Sequence, residues 1–411
     1  MKPRSPLRVA VVGCGTTGPA TALLLARLGH EVEIFEQAPE CKPVGAGFLL
    51  QPSGMSVLAE LGMLDDAIDH GSKVRWLFCQ TTNGRTLLDL PYETIEPFSF
   101  GAGLHRSVLL SLMLTKLKEA AIPVRWDSPV ETVDDDHLVI RGERQGPYDL
   151  ILLADGASSR VRHSTGIRGE AVPYPWGAIW WIGENQSAAF DESELFQIVD
   201  GTGKMVGFLP TGRAFGEEQT QISMFWSFRL ADRERWLETP IKIWKERILT
   251  LAPKAESFIE PIETHEQLTI ANYLDVRYRR WHNRNIALLG DCGHAMSPQL
   301  GQGVNLGLLD ARILAECIDA SNELPAALAA YSRRRRASLR YYQFMTRWLT
   351  PIFQSDYEWI TPARDLAFPI INQIPPFRRQ MIDTMMGLRR NAFLTNPQLL
   401  TSVDFARFSK G

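Results

Sequence analysis

The stretch from Arg8 to Glu36, RVAVVGCGTTGPATALLLARLGHEVEIFE, decides the fold. Val9 to Val12 is an uninterrupted apolar run, the mark of a parallel strand buried on both faces. Thr17 to Leu28 follows with Ala20, Leu23, Leu24 and Leu28 at helical spacing, and Gly29 stops it. Val32 to Phe35 is a second strand ending at Glu36, which completes a strand–helix–strand unit. Gly13 permits a tight turn after the first strand, Gly15 lets the backbone approach phosphate oxygens, and Gly18 lets helix and strand pack closely. The helix N-terminus at Thr17 would then offer its unpaired N–H groups to a diphosphate. Glu36, with Gln37 beside it, sits where an acid can accept hydrogen bonds from ribose hydroxyls. Pro19 departs from the usual small residue but falls in the first helical turn, where its missing N–H costs little. A glycine turn with no ligand is the competing reading of this stretch.

Two further segments have the same character. Asp155-Gly156-Ala157-Ser158-Ser159-Arg160-Val161-Arg162 follows the apolar run Leu150 to Leu153. Gly290-Asp291 follows Ile286 to Leu289 and continues to Pro298, Gly301, Gly303, Val304 and Asn305. Each sits where a strand gives way to a loop, and the first and third motifs lead into helices. Taken singly, the second reads equally as a helix N-cap with a surface arginine, and the third as a Gly-rich connection before a buried helix.

The bulk numbers bound the class. A chain of 411 residues suits two domains or one large composite domain. A net charge of −3 gives no reason to expect a nucleic-acid partner. Cys14, Cys41, Cys79, Cys292 and Cys317 are scattered, with no C-x-x-C pair. That argues against a disulfide framework or a metal site and for a reducing, cytoplasmic compartment. Lys2, Arg4 and Arg8 precede an apolar stretch, as in a signal peptide, but the stretch runs straight into the glycine motif and reads as the first strand. No apolar run is long enough to span a bilayer, so no integral membrane segment is expected.

Elsewhere, Gly54 to Leu61 reads as a helix capped by Ser53, and Val74 to Leu90 as a hairpin around Asn83-Gly84. Arg106 to Ala120 is an apolar helix. From about Ala171 to Thr269 the runs Ala178 to Ile182, Leu195 to Val199, Met205 to Leu209 and Ile222 to Phe228 read as strands of a mostly antiparallel sheet, followed by a helix around Trp244 to Leu251. Val304 to Ala320 is a helix, and the chain stays helical beyond Tyr331, with Arg333 to Arg336, Arg340 and Arg347 among aromatics. That tail reads either as a peripheral membrane surface or as a helix packed on the nucleotide domain with one solvated basic face.

The Asp155 and Gly290 segments resemble the fingerprints of the single-component FAD-dependent aromatic monooxygenases, the family of the salicylate, hydroxybenzoate and ubiquinone-pathway hydroxylases. The string from Gly290 to Asn305 is close to that family's pattern, departing at Cys292-Gly293, where two alanines are common. The resemblance covers about residues 7 to 345 and implies an α/β fold. It has a Rossmann-like FAD-binding domain, an inserted mostly antiparallel β-sheet substrate domain and a C-terminal helical region. The expected division is 1–73, 101–170 and 270–345 for FAD, 74–100 and 171–269 for substrate, and 346–411 for the helical region.

By the same resemblance FAD is held by Gly13, Gly15, Thr17, Gly18, Glu36, Gln37, the loop Gly45-Ala46-Gly47, Arg106, Asp155, Gly156, Arg162, Asp291, Pro298, Gly301, Gly303, Val304 and Asn305. NADH or NADPH is the reductant and O2 the co-substrate, acting through a flavin C4a-hydroperoxide on a small aromatic or lipophilic ring. Pro298 lies beside the flavin ring. His294 is a candidate for proton transfer, with ordering of the loop as its alternative role. The inserted sheet roofs a dry cavity, with Trp180, Phe208, Met224, Trp226 and Phe228 as candidate substrate contacts against the alternative that they are sheet core. A flavin-dependent halogenase and a non-catalytic FAD-binding module are the competing functions. The segment Ile179-Trp180-Trp181-Ile182-Gly183 lacks the W-x-W-x-I-P spacing of the halogenases.

Overall fold

Parallel strands need both faces covered, and the runs around Val11 meet that condition. A computed structural model describes residues 5–40, 46–185 and 188–409. Its central sheet has six strands in the order His282–Asn283, Ile286–Leu288, Leu150–Leu153, Arg8–Val12, Glu31–Phe35 and Val124–Arg125. Val11 pairs with Leu152 on one side and Ile34 on the other, both in parallel. Val9, Ala10, Val11, Ile151, Leu152 and Leu288 are fully buried. The helix Thr17–Arg27 covers one face of this sheet and packs against the helix Gly303–Asp319.

A second sheet has seven strands in the order Thr269–Tyr278, Gly169–Glu184, Gln221–Arg229, Lys204–Gly212, Glu194–Asp200, Trp76–Thr81 and Thr86–Pro91. All its neighbours are antiparallel except Glu194–Asp200 with Trp76–Thr81. The hairpin expected around Asn83-Gly84 supplies its last two strands. Ala178 to Ile182 lies in the C-terminal half of one 16-residue strand, and the edge strand Thr269–Tyr278 is an addition to the sequence reading.

The sequence reading also lacked a three-stranded sheet of Gly47–Leu50, Gly101–His105 and Ser72–Val74. Its strands are short and glycine-containing, so they carry little alternation. Gly47 is required there by proximity. A Cβ at that position would sit 2.0 Å from Thr211 Cγ2, because the small sheet lies directly on the large one. The helix expected from Gly54 begins at Pro52. Proline's fixed φ suits the first helical position, and the Ser53 hydroxyl makes no cap.

The 30-residue helix Leu324–Phe353 packs against the helix Gly303–Asp319 and is followed by Thr361–Gln373 and Pro375–Met385. Arg333, Arg336 and Arg340 share one exposed face of the long helix, whereas Arg335, on the opposite side, is 1% exposed. Among the described residues, no helix is long and apolar enough to cross a membrane.

Candidate cofactor and substrate site

The three motifs meet. Gly13, at φ +103°, occupies a left-handed turn where a Cβ would lie 2.5 Å from the carbonyl oxygen of Ala154, so the first motif abuts the second. A Cβ on Gly18 would lie 2.0 Å from the Gly13 carbonyl oxygen, which is the close strand–helix approach expected of it. Thr17 joins the first motif to the third. Its Oγ1 sits 2.6 Å from where a Gly290 Cβ would be and 2.3 Å from where a Gly307 Cβ would be. Arg162 joins the second to the third by donating to the Cys292 carbonyl at 3.3 Å.

Each acid and base has a definite position. Glu36 accepts the Cys14 N–H at 2.8 Å on one oxygen and the Ala38 N–H at 2.9 Å on the other, with lone pairs to spare. Gln37 beside it is exposed. Arg162 is 4% exposed, so it is a brace under the loops and not a surface arginine. Asp155 is raised above the ordinary carboxylate range by burial, partly offset by hydrogen bonds from Ser159 and Cys292. Burial, with the Asp155 charge behind it, pushes the Cys292 thiol well up and makes it a packed neutral group. Gly156 is half-buried with open space on its Cα.

The third loop is tied from behind by a buried ion network. His294 Nε2 and Asp310 Oδ2 lie 2.5 Å apart, Arg335 Nε donates to Asp310 Oδ1 at 2.5 Å, and the Gly290 N–H donates to Asp310 Oδ2 at 2.8 Å. All three side chains are at most 2% exposed. Burial alone would raise Asp310, but the charges of His294 and Arg335 and the hydrogen bonds outweigh it, and its carboxyl is held below the ordinary value. His294 has no solvent access and its bond to Asp310 fixes the loop, which favours the loop-ordering role over proton transfer. Asp310 and Arg335 escaped the sequence reading. A lone acid in the apolar run Leu306 to Leu314 was the available signal.

What faces outward is backbone. Gly15, Asp291, Pro298 and Gly301 are exposed, and Gly303 and Val304 are half-buried. A Cβ on Gly15 or Gly301 would meet nothing within 4 Å, and one on Gly303 only the Asp291 carboxylate at 3.5 Å. The helices Thr17–Arg27 and Gly303–Asp319 both begin without a side-chain cap and without an acid in the first turn. Two uncapped positive helix ends beside open glycine backbone suit a ligand with a diphosphate at one end and a ring that gains negative charge at the other. FAD is such a ligand, and the donor set fits it. Asn305 is turned inward, with its amide accepting from the Gln51 N–H at 2.8 Å and donating to the Leu49 carbonyl at 3.1 Å. It thereby fixes the strand Gly47–Leu50 against the loop. Ala46 is half-buried beside that strand, and Gly45 lies outside the described residues. Arg106 is exposed at the first position of the helix Arg106–Glu119.

The candidate substrate contacts divide by face. Trp180 is directly opposite Phe225 across the antiparallel ladder, and their rings lie 5.2 Å apart. Residues opposite each other share a face, and their sequence neighbours point away. The Phe225 face meets the loops: Ser223 Oγ accepts the Gly47 N–H at 2.9 Å, and Gln354 links Ser227 Oγ to Gln299, next to Pro298. Phe208, Met224, Trp226 and Phe228 point the other way, into a second core with Trp244, Ile248 and Phe258. The expectation that these four contact substrate is therefore corrected: they are sheet core. Trp226 and Phe228 do border a cavity of about 460 Å³, shared with Trp236 and Trp244.

On the loop-facing side the sequence reading named only Trp180 and missed Phe225 and Tyr273. Trp180 Nε1 donates to the Tyr273 hydroxyl at 3.2 Å. Burial pushes the Tyr273 phenol up to about 12, only partly offset by that bond and the nearby Arg106 charge, so it is neutral at ordinary pH.

Comparison with known proteins agrees with this geometry. A family model described as an FAD binding domain matches residues 6–342. The chain is 25% identical over 348 residues to the 6-hydroxynicotinate 3-monooxygenase of Pseudomonas fluorescens, covering 80% of this chain and 88% of that protein. It is 28% identical over 364 residues to the kynurenine 3-monooxygenase of Salinispora tropica, covering 80% and 76%. Its fold superposes on HpxO of Klebsiella pneumoniae, solved with FAD and uric acid, with a TM-score of 0.76 at 21% identity, covering 92% and 97%. The match spans most of the chain and holds all three converging motifs, so this protein belongs to the FAD-binding-domain family.

Proposed function

We propose that this chain is an FAD-dependent monooxygenase that uses NADH or NADPH and O2 to hydroxylate an aromatic or related electron-rich ring. One observation carries the reading: two uncapped helix ends stand side by side, with Thr17 Oγ1 2.3 Å from where a Gly307 Cβ would be, and the exposed Gly15 and Gly301 leave open backbone beside them. A protein that only bound a nucleotide would need the turn at Gly15 and not the second helix end. The names of relatives at 25% and 28% identity, both monooxygenases of ring compounds, support the same reaction class.

Bound FAD would supply two-electron redox chemistry and activation of O2. The chain's own residues do the rest. The N–H groups at Gly15 to Thr17 and the side chain of Arg106 would hold the diphosphate. Glu36 has lone pairs left for ribose hydroxyls, and the exposed Asp291 would hold the ribityl chain. The helix end at Gly303 would stabilise negative charge on the reduced ring. Pro298, which lacks an N–H, would place an apolar surface beside the ring. Trp180, Phe225 and the neutral Tyr273 would bound the substrate side, excluding water while Tyr273 donates one hydrogen bond to a substrate oxygen or anion.

The test is to purify the protein and look for flavin absorbance. NADH and NADPH consumption is then followed with phenols, quinones and N-heteroaromatics, 6-hydroxynicotinate and kynurenine among them. Ring-stimulated oxidation yielding an oxygenated product is expected. A colourless protein that cannot be reconstituted with FAD, or a product that requires halide, sinks the proposal.

A further inference from the structure

The family match ends at residue 342, yet the loop at Pro298 is held by residues beyond it. We propose that Gln354 is a positioning residue that ties this loop to the substrate-side sheet, and that it keeps nicotinamide oxidation coupled to ring hydroxylation. The inference rests on the monooxygenase reading above.

Gln354 caps the C-terminus of the helix Leu324–Phe353 and is 4% exposed. Its amide nitrogen donates to the Gly177 carbonyl at 2.7 Å and to Ser227 Oγ at 3.1 Å. Its amide oxygen accepts from Gln299 Nε2 at 3.1 Å. One side chain therefore touches two strands of the seven-stranded sheet and the residue after Pro298. Gly177 lies three residues before Trp180, and Ser227 two residues after Phe225, so the tie reaches the strands that carry the proposed substrate wall.

The same helix face is engaged along its length. Gln343 donates to the Val276 carbonyl at 2.7 Å, Thr346 Oγ1 lies 3.5 Å from Met296 Sδ, and Arg347 pairs with Asp275 at 2.8 Å. Positions 343, 346, 347 and 354 fall on one side of a helix, so Gln354 ends a row of contacts. Gln302, at the far end of the loop, donates to the Met385 carbonyl at 2.6 Å, so the tail holds the loop at both ends.

Only an amide meets the requirement at Gln354, since it must donate twice and accept once in a buried place. Leucine would fill the space and leave the Gly177 carbonyl and the Gln299 amide unpaired. An ionised glutamate would set a carboxylate against the Gly177 carbonyl, whereas a protonated one can still donate to it and accept from Gln299.

The tie matters because two outcomes compete for the same electrons. In the coupled reaction NAD(P)H, a proton, O2 and a ring C–H give NAD(P)+, water and a ring C–OH. In the uncoupled reaction NAD(P)H, a proton and O2 give NAD(P)+ and hydrogen peroxide. Both consume one nicotinamide, and they differ in whether substrate is held where oxygen can reach it and water cannot.

The experiment compares the wild-type holoenzyme with Q354L and Q354E, using 6-hydroxynicotinate, kynurenine and salicylate as ring probes. Product and peroxide per nicotinamide are measured across pH. Amide hydrogen exchange over residues 296–304 is measured in the FAD-free protein. Q354L is expected to raise the peroxide share about fivefold and to speed exchange in that segment, with nicotinamide consumption changed less than twofold. Q354E is expected to behave like Q354L at high pH and to regain coupling and protection as the pH falls, a profile that wild type lacks. If Q354L fails to fold, the pH profile of Q354E decides alone. Wild-type exchange and coupling in a folded Q354L, or a flat profile for Q354E, overturns the inference. Absence of wild-type turnover counts instead against the monooxygenase reading, and the exchange measurement still tests the tie.

Discussion

The loop that leaves the parallel sheet at Gly290 is tied to the seven-stranded sheet through Gln354, yet the two sheets are specified differently. In the parallel sheet the decisive residues are glycines and the acids beside them, and each acts through backbone at a fixed offset from a strand end. In the larger sheet the decisive residues are aromatic side chains, and both faces carry them: Trp180 and Phe225 toward the loops, Met224, Trp226 and Phe228 toward the helix Ile241–Leu251. Backbone geometry leaves a trace in a short string of residues. Alternation along a strand says which residues share a face but not which face meets the ligand.

The largest expected effect falls on the backbone side. G18V would put branched carbons where even a Cβ lies 2.0 Å from the Gly13 carbonyl oxygen. It should cost about 5 kcal/mol of stability and abolish FAD binding, measured by denaturant unfolding and flavin titration. A folded, yellow G18V protein would break the contrast.

Next is D310A, which strands the buried Arg335 and His294 and should cost about 3–5 kcal/mol. The pH dependence has a definite sign. The Asp310 carboxyl sits below its ordinary value of 3.8, so its stabilisation is present above that value and is lost as the pH falls below it toward the folded value. Wild type should therefore lose stability more steeply than D310A below pH 3.8, read from unfolding midpoints between pH ~4 and pH ~2.

The two faces of the large sheet can be separated by a matched pair. W226A removes a core indole and should cost about 3–5 kcal/mol while leaving the ranking of ring substrates unchanged. W180A, at a half-buried position, should cost about 1–2 kcal/mol and raise KM for the best ring substrate about tenfold. The reverse pattern would restore the face assignment that the structure overturned.

The smallest effect is expected at Arg106. R106A should change stability by no more than about 0.5 kcal/mol, because the side chain is exposed, and should weaken FAD about tenfold. Unchanged flavin affinity would remove Arg106 from the site.

Much of this was legible from the chain. The first strand, helix and second strand appear within a residue or so of where periodicity put them, and Gly13 stands in the turn and Gly18 at the close approach that their positions implied. The short strands Gly47–Leu50 and Gly101–His105 were not legible, since a few residues with glycines carry no period. Nor was the burial of Arg335, which looks from sequence like its exposed neighbours Arg333 and Arg336. Its partner Asp310 lies 25 residues earlier, on a different helix, and only packing brings the two together.

The sequence by itself determined the parallel nucleotide sheet and the three turns at its strand ends, because those features depend on local backbone freedom and on the spacing of glycine and acid. Only the tertiary structure decided that the three turns abut one another, that the Phe225 side of the large sheet is the side that meets the loops, and that Gln354 reaches back to the Pro298 loop. Those facts depend on which surfaces are pressed together, and the chain does not encode that in any single stretch.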